Sequence, residues 1–383
     1  MALVTADMYA SFDVTAGAYL QDISPALVEA IYADLNLLEA IPLGWDSPVS
    51  NVVHIWNEDA LNADSLTSAA SISSSGTTLT VTTGHGVRVP VAGMLLMPRL
   101  STSSTEILQV TAISTDTLTV TREYNSTTAA SYPTATTFVI IDALQEGSDI
   151  GNDTSVTPTV RQNNTHILGC RDLKVSGSQL ARKMATRELE DWVGHQLANR
   201  TIELKRKLIN ALLYSEGSSS DVGSDTVYRT MKSIRQWTRG DGITDTDSEA
   251  MAWSVLNAQN KTAVDLGVYI DTLVIGTDLV SSIAGIDSSV RRLYESDTAV
   301  GYTVQEILLS QGNTVRLVID QRVNPGEAYG LTKAHVRPLP FAGRGMFTIA
   351  ATDFSDARKR RVLGEWTLQV DHPEANILWA NKT

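Results

Sequence analysis

SQLARKMATRELEDWVGHQLANRTIELKRKLINALLYSE, residues 178–216, is the stretch from which the rest of the chain can be read. Apart from Gly194 it holds neither glycine nor proline. Apolar side chains recur every three or four positions: Leu180, Met184, Leu189, Val193, Leu197, Thr201/Ile202, Leu204, Leu208 and Leu212. That is the stripe of an amphipathic helix. At about 1.5 Å per residue it runs on the order of 50 Å, far beyond the usual three to four turns. A rod of that length is a strut, and struts belong in assemblies rather than around pockets. Ser176 or Ser178 is suited to cap its start, and Gly217, after Glu216, to take a left-handed conformation at its end. On the polar side Glu203 and Lys207 stand i,i+4 in the favourable order, and Arg187 and Asp191 in the reverse order.

The chain has 383 residues, room for two or three domains. With 43% hydrophobic and 19% charged residues it is neither disordered nor membrane-like. Acidic residues outnumber basic ones 43 to 30, for a net charge of −13. General nucleic-acid binding needs clustered cations, so that balance argues against it. No apolar run reaches the roughly 18–20 residues that span a bilayer. The first residues, Met1 to Asp7, lack the basic start and apolar core of a signal peptide. The single Cys170 excludes an intrachain disulfide and a cysteine-based zinc cage. The expected protein is soluble and held together by packing.

Residues 1–40 read as an arm with a short helix opened by Ser24-Pro25 and striped by Leu27, Ile31, Leu35 and Leu38. Residues 50–56 read as a strand entering an excursion. From 63 to 141 the composition shifts to serine and threonine, nearly free of lysine and punctuated by glycine. Two copies of one phrase, Thr-Leu-Thr-Val-Thr at 78–82 and 117–121, alternate with period two. Further strands are expected at 93–97, 107–113 and 136–141, together making a small all-β barrel or sandwich inserted in a host fold. The host resumes with a strand near 166–175 and the long helix. Beyond it, helices are expected at 226–239 and 249–266, with short ones at 279–283 and 289–296. Strands are expected at 272–275, 303–309, 316–320, 334–337 and 364–373, the last stopped by Pro373.

These residues, taken in order, resemble the tailed-bacteriophage major head (capsid) proteins of the Hong Kong-97-type fold, most of all the branch typified by podophage-type major heads. The likeness is carried by Val175-Ser176-Gly177-Ser178 leading into Arg187-Glu188-Leu189-Glu190 and Glu203-Leu204-Lys205-Arg206-Lys207. Ile270-Asp271-Thr272-Leu273-Val274-Ile275 adds to it, as do Leu363-Gly364-Glu365-Trp366-Thr367-Leu368-Gln369-Val370 and Pro373-Glu374-Ala375-Asn376. It covers roughly 41–56 and 144–383. The resemblance implies an α+β Hong Kong-97-like capsid fold with an inserted small all-β domain. Its parts would be an N-terminal arm (1–40), an E-loop/P-domain excursion (41–62 and 142–176) and the insert (63–141). A spine helix in the P-domain (177–228), an axial A-domain (229–345) and P-domain return strands (346–383) complete it. It further implies a structural, self-assembling subunit that forms pentamers and hexamers in an icosahedral head around double-stranded DNA. The DNA would be touched only weakly and nonspecifically. Scaffold, portal and decoration proteins are the other expected partners, with no membrane. Localisation is the virion, with assembly in the host cytoplasm. No lysine–asparagine pair supports covalent crosslinking. With Met1 present and no long charged N-terminal segment, proteolytic maturation is not expected. The alternative is a tail or decoration protein that binds host surfaces through the β domain.

No catalytic, cofactor-binding or metal site is expected, and the chain is not read as an enzyme. The acidic run from Asp241 to Glu249 lacks the glycine and glutamate positions of a calcium loop, and Asp247 or Ser248 is read as a helix cap. His54, His85, His166, His195, His335 and His372 form no i,i+4 pair. Thr83-Gly84-His85-Gly86 reads as a turn. No nucleophile elbow, phosphate loop or dinucleotide fingerprint occurs. One dense basic run remains: Arg358, Lys359, Arg360 and Arg361. It is the candidate intersubunit or DNA-facing cluster, against the plainer reading of a solvated turn before the last strand.

Overall fold

The computed structural model describes residues 35–59, 63–89, 93–99, 106–141, 158–176, 192–217, 223–224, 227–286, 291–295, 302–351 and 357–383. The chain divides into two compact units, one of residues 1–56 and 162–383 and one of residues 57–161. Strand β1 (Val53–Glu58) leads out of the first unit and β8 (Thr159–Asn164) leads back, the two pairing as a ladder.

The smaller unit is a six-stranded sheet of β2 (Ser65–Thr67), β3 (Thr78–Thr80), β4 (Leu95–Arg99), β5 (Leu108–Ser114), β6 (Thr117–Thr121) and β7 (Thr137–Ile141). The strands run in the order β2-β7-β4-β5-β6-β3. A bridge between Ser68 and Val81, with the Ala69 amide donating to Thr80 O at 2.9 Å, joins the two outer strands. The sheet thus closes on itself as a small barrel, which leaves no free edge between those strands. The two Thr-Leu-Thr phrases pair with each other, Leu79 opposite Leu118. Both leucines lie in a core with Leu66, Leu96, Leu108, Val110 and Phe138, while their threonine neighbours face solvent. Inside one end sits a buried ion pair. Glu106 accepts from Arg122 Nε at 2.6 Å, Tyr132 Oη at 2.7 Å and the Ala130 amide at 2.9 Å. Arg122 in turn donates to Ser73 O, Gly76 O and Ala130 O, so no charge in the pair is left unsatisfied.

The larger unit has two sheets. The first is built on one 14-residue strand, β19 (Ala357–Val370). Along one side of it lie β9 (His166–Gly169) and β10 (Leu173–Ser176), and along the other β17 (Val336–Pro340) and β18 (Phe347–Ala351), all antiparallel. The second is a mixed seven-stranded sheet in the order β11 (Ile243–Asp245), β20 (Ile377–Trp379), β16 (Ala328–Leu331), β12 (Thr272–Ile275), β15 (Thr314–Ile319), β14 (Tyr302–Leu308) and β13 (Arg291–Glu295). Every residue of β12 is buried. Val274 faces one core while Leu273 and Ile275 face another, which explains an unbroken apolar run in place of alternation.

The helices fill those two cores. α1 (Asn36–Ala40), α2 (Trp192–Tyr214) and α3 (Ile234–Asp241) share the first core with β19. α4 (Trp253–Asp265) and α5 (Val280–Ala284) cover the other face of the seven-stranded sheet. On α2, Leu204, Leu208, Ile209, Leu212 and Leu213 are fully buried against Trp366 and Leu368, and Leu197 is half-buried beside them. The expected N-terminal half of this helix, with Ser178, Leu180, Met184, Leu189 and the Arg187–Asp191 pair, lies outside the described residues. So do the expected arm helix before Leu35 and its Ser24-Pro25 opening.

Several expectations are corrected. Glu203 pairs backward with Arg200 at 2.6 Å, and Lys207 donates instead to Gly169 O at 2.6 Å. Gly217 is not left-handed. It is needed for space, because a Cβ there would lie 2.5 Å from Lys232 N. The strand near 166–175 is two strands, broken where Cys170 turns in to meet Arg200 O. The helix expected from 226 begins only at Ile234. Asn163 holds the Lys232 backbone by both its amide and its carbonyl, and Ser233 then caps the helix through the Gln236 amide. Residues 289–296, expected as a helix, hold strand β13, paired to β14; the backbone bonds of that ladder outweigh a weak local preference.

Candidate functional site

The basic run lies inside β19 and not in a turn before it. β19 is central here, with β10 on one side and β18 on the other. Arg358 stands opposite Val175, Lys359 opposite Lys174 and Arg360 opposite Leu173 on β10. On β18, Ile349 stands opposite Arg361. Strand alternation divides the run. Arg360 holds the register of Val362 and Trp366, which lie in the core shared with α2. Lys359 and Arg361 hold the opposite face. Arg360 and Arg361 are exposed, and Arg361 is engaged within its own chain, its Nη2 donating to Asp172 Oδ2 at 2.9 Å. That partner holds the Asp172 carboxyl below its usual range. The run is therefore a cationic strand, with Arg360 on one face and Lys359 and Arg361 on the other, rather than one patch.

Four residues beyond the run, the same strand carries a carboxylate that the sequence did not mark as special. Glu365 is 3% exposed. Its Oε1 accepts from Arg229 Nη2 at 2.6 Å and Thr165 Oγ1 at 2.8 Å, and its Oε2 from Arg344 Nε at 2.8 Å. Arg229 also donates to Thr165 O. One side chain thus fastens the loop after α2, the turn before β9 and the turn before β18 to β19. Gly364 beside it admits a close approach, since a Cβ would come 2.6 Å from Gly345 O. These roles explain the Gly364-Glu365-Trp366 run physically, and nothing local in the sequence announces them.

The acidic loop is a second constellation. Oxygens of Asp245, Asp247 and Glu249 can gather within 4.8 Å of one another, a spacing that suits a cation. The Lys382 ammonium supplies that cation. The Lys382 side chain is fully buried, and its Nζ donates to Asp245 Oδ1 at 2.9 Å, Asp247 O at 2.8 Å and Glu249 Oε1 at 3.1 Å. Burial works to raise the Asp245 carboxyl, but the bonds from Lys382, the Asp247 amide and Gln259 outweigh it and lower it. Neither Asp247 nor Ser248 caps α4, whose N-cap is Ala252 without a side-chain bond. A partner more than 130 residues away could not be read from the spacing of the acids.

The histidines are spread over the fold. His54 meets Gln369 Oε1 at 2.9 Å and stacks on Trp56. His85, in the glycine turn, accepts from the Thr67 amide at 3.0 Å, and Gly84 there has φ +83°. His166 contacts Ser215 Oγ, and His195 contacts Asn199. The His335 and His372 rings meet at 5.4 Å. Cys170 is buried, and burial pushes its thiol up, away from reactivity.

A family model described as SU10 major capsid protein matches residues 7–383. No curated protein matches the chain. Among solved structures, one from Mycobacterium phage Adephagia is 10% identical with a TM-score of 0.47, covering 98% of this chain and 96% of that one. One from Mycobacterium phage Bobi is 12% identical with a TM-score of 0.44, covering 97% and 94%. The holo-SrpI encapsulin complex from Synechococcus elongatus is 11% identical with a TM-score of 0.41, covering 59% and 78%.

Proposed function

The chain belongs to the SU10 major capsid protein family, and from that premise we propose that its copies close as pentamers and hexamers about the axes of the shell. It is a structural major capsid protein of an icosahedral virion and not an enzyme, and its fold class is the α+β Hong Kong-97-like capsid fold. Nothing supports the alternative of a tail or decoration protein. The match from residue 7 to residue 383 carries this reading.

In the proposed arrangement the arm is 1–40, and the E-loop and P-domain excursion is 41–62 with 142–176. The inserted all-β domain is 63–141, and the spine helix with its flanks is 177–228. The axial A-domain is 229–345, and the P-domain return strands are 346–383. The closed barrel core and the doubly covered seven-stranded sheet fit an insert and an axial lobe. Ring closure needs heterologous contacts repeated around an axis. Arg358, Lys359, Arg360 and Arg361 would meet acidic groups of a neighbouring subunit, or the phosphates of packaged DNA on whichever face turns inward. Contact with DNA would be weak and nonspecific, in keeping with the net charge of −13. Scaffold, portal and decoration proteins complete the proposed partners, and assembly takes place in the host cytoplasm.

The test is to express the chain alone, image the product by negative-stain electron microscopy and count its copies per particle by mass. Closed shells or rings of five and six subunits, with hundreds of copies in complete particles, are expected. A product that stays monomeric, or rings whose copy number is neither five nor six, would sink the pentamer-and-hexamer reading.

A further inference from the structure

The end of the barrel that holds the Glu106–Arg122 pair is also where its backbone is most strained. Among the described residues seven that are not glycine take a positive φ, and four of them fall between 123 and 135. These are Glu123 at +57°, Asn125 at +51°, Ser126 at +64° and Ala135 at +65°. Residues with a Cβ seldom adopt that region, and they stay there only where the surroundings over-determine it. Here they do. A bridge between Ile72 and Tyr132 sets the loop of residues 71–77 beside the loop of residues 123–131. The Arg122 side chain, 8% exposed, donates to Ser73 O and Gly76 O in the first loop and to Ala130 O in the second. Its partner Glu106 accepts from the Ala130 amide and from Tyr132 Oη. Within the second loop the Tyr124 amide donates to Ile107 O at 3.2 Å and Thr127 Oγ1 to Tyr124 O at 2.9 Å. One buried ion pair thus holds two exposed loops in a fixed relation.

What the loops present narrows the ligand. Ser73, Ser74 and Ser75 are exposed on the first, and Asn125 and Ser126 on the second, where Tyr124 is 37% exposed. Of the side chains in the two loops only Arg122 and Glu123 are charged, and Arg122 is buried. A phosphate-bearing ligand needs exposed cations, a divalent metal needs gathered carboxylates, and a protein partner needs an apolar or arginine anchor to bury. Among the described residues of these loops none of the three occurs. Hydroxyls, a side-chain amide and one aromatic face, held rigid, suit a ligand that is itself uncharged and rich in hydroxyls. We propose that this end of the barrel binds a neutral saccharide, with Tyr124 stacking on a C–H face of the sugar and Ser73, Asn125 and Ser126 bonding its hydroxyls. Rigidity favours this, because a loop already fixed loses little freedom on binding. The site lies within one chain, so it goes beyond the shell reading and does not depend on it.

The test applies the full chain to an array of neutral oligosaccharides built on glucose, galactose, mannose and N-acetylglucosamine, with sulfated and sialylated ones as charged controls. Retention of at least one neutral class is expected, with its affinity then measured by titration at millimolar sugar. Tyr124→Ala should melt with the parent chain and bind about tenfold more weakly. A second arm uses Ser126→Gly, since glycine takes the left-handed φ without strain. Its melting temperature should hold or rise while the looser loop binds several-fold more weakly. A strain that serves only the fold would leave binding unchanged in that variant. If Tyr124→Ala fails to fold, Ser126→Gly decides in its place. Retention of no neutral sugar, retention of charged controls alone, or unchanged affinity in the deciding variant overturns the saccharide site and leaves the shell reading standing.

Discussion

Lys382 shows how a residue can look ordinary in sequence and be decisive in space. Its ammonium stands among three oxygens, where the acidic spacing alone invites thoughts of a metal ion. Substituting Lys382→Met leaves the Asp245 carboxylate buried without its counter-charge. The expected loss is about 3–5 kcal/mol at neutral pH, the usual cost of breaking a buried pair from one side. Asp245 is held below its ordinary range in the folded protein. Its contribution is therefore present above the unfolded carboxylate range and is lost as pH falls through the folded value. The parent and variant stabilities should draw together only as pH falls below the ordinary carboxylate range; equal losses at neutral pH and in such acid in denaturant titrations would refute the pairing. Glu106→Ala is the matching change in the barrel. It strips the Arg122 guanidinium of its carboxylate and frees Tyr132 Oη and the Ala130 amide. A loss of about 3–5 kcal/mol is again expected, read as a lower unfolding midpoint of that unit.

Among the elements, α2 and β19 carry the larger unit. The helix stripe was legible because period 3.6 is written in the positions of Leu204, Leu208 and Leu212, and burial follows it. Leu208→Ala should cost about 2–5 kcal/mol as a core cavity, while Asn210→Ala on the exposed side should change stability by about 0.5 kcal/mol or less. Comparable losses at the two positions in chemical unfolding would contradict the packing. β19 was legible only in its second half, where Trp366, Leu368 and Val370 alternate with polar residues. Its first half reads as a charged turn because four cations in a row hide the alternation. Only pairing with β10 and β18 reveals them as strand. The start of α3 was misread for a related reason: the side chain that holds the preceding residues extended, Asn163, lies 69 positions away from Lys232.

For the whole molecule, acid is the informative variable. His85, His166 and His335 are all held below the usual histidine range. Burial is the leading cause in each case, joined by Arg88 at His85, Arg229 at His166 and His372 at His335. A histidine with a lowered folded value favours the neutral form in the native state. Its stabilisation is complete above the unfolded value near 6.5 and is lost as pH falls through the folded value. Melting temperature should therefore drop as pH is lowered from about 7 to about 5, before most carboxylates titrate. A His85→Asn variant, which keeps an acceptor for the Thr67 amide, should lose part of that dependence. An unchanged pH profile in this variant would remove His85 from the account.

What the sequence by itself determined is what short-range periodicity and composition can encode. The long amphipathic helix, the period-two threonine strands, the buried run of β12 and the order of segments that resembles a capsid subunit all belong there. Each rests on residues within a few positions of one another, where backbone geometry imposes a repeat. Only the tertiary structure decided which charges meet, because those contacts join residues from 21 to 189 positions apart, beyond the reach of a local repeat. Lys382 closes the acidic loop, Glu365 gathers Arg229 and Arg344, and β19 sets Arg360 on one face and Lys359 and Arg361 on the other. Periodicity constrains neighbours along the chain, whereas a counter-charge or a pairing strand is chosen by packing in three dimensions.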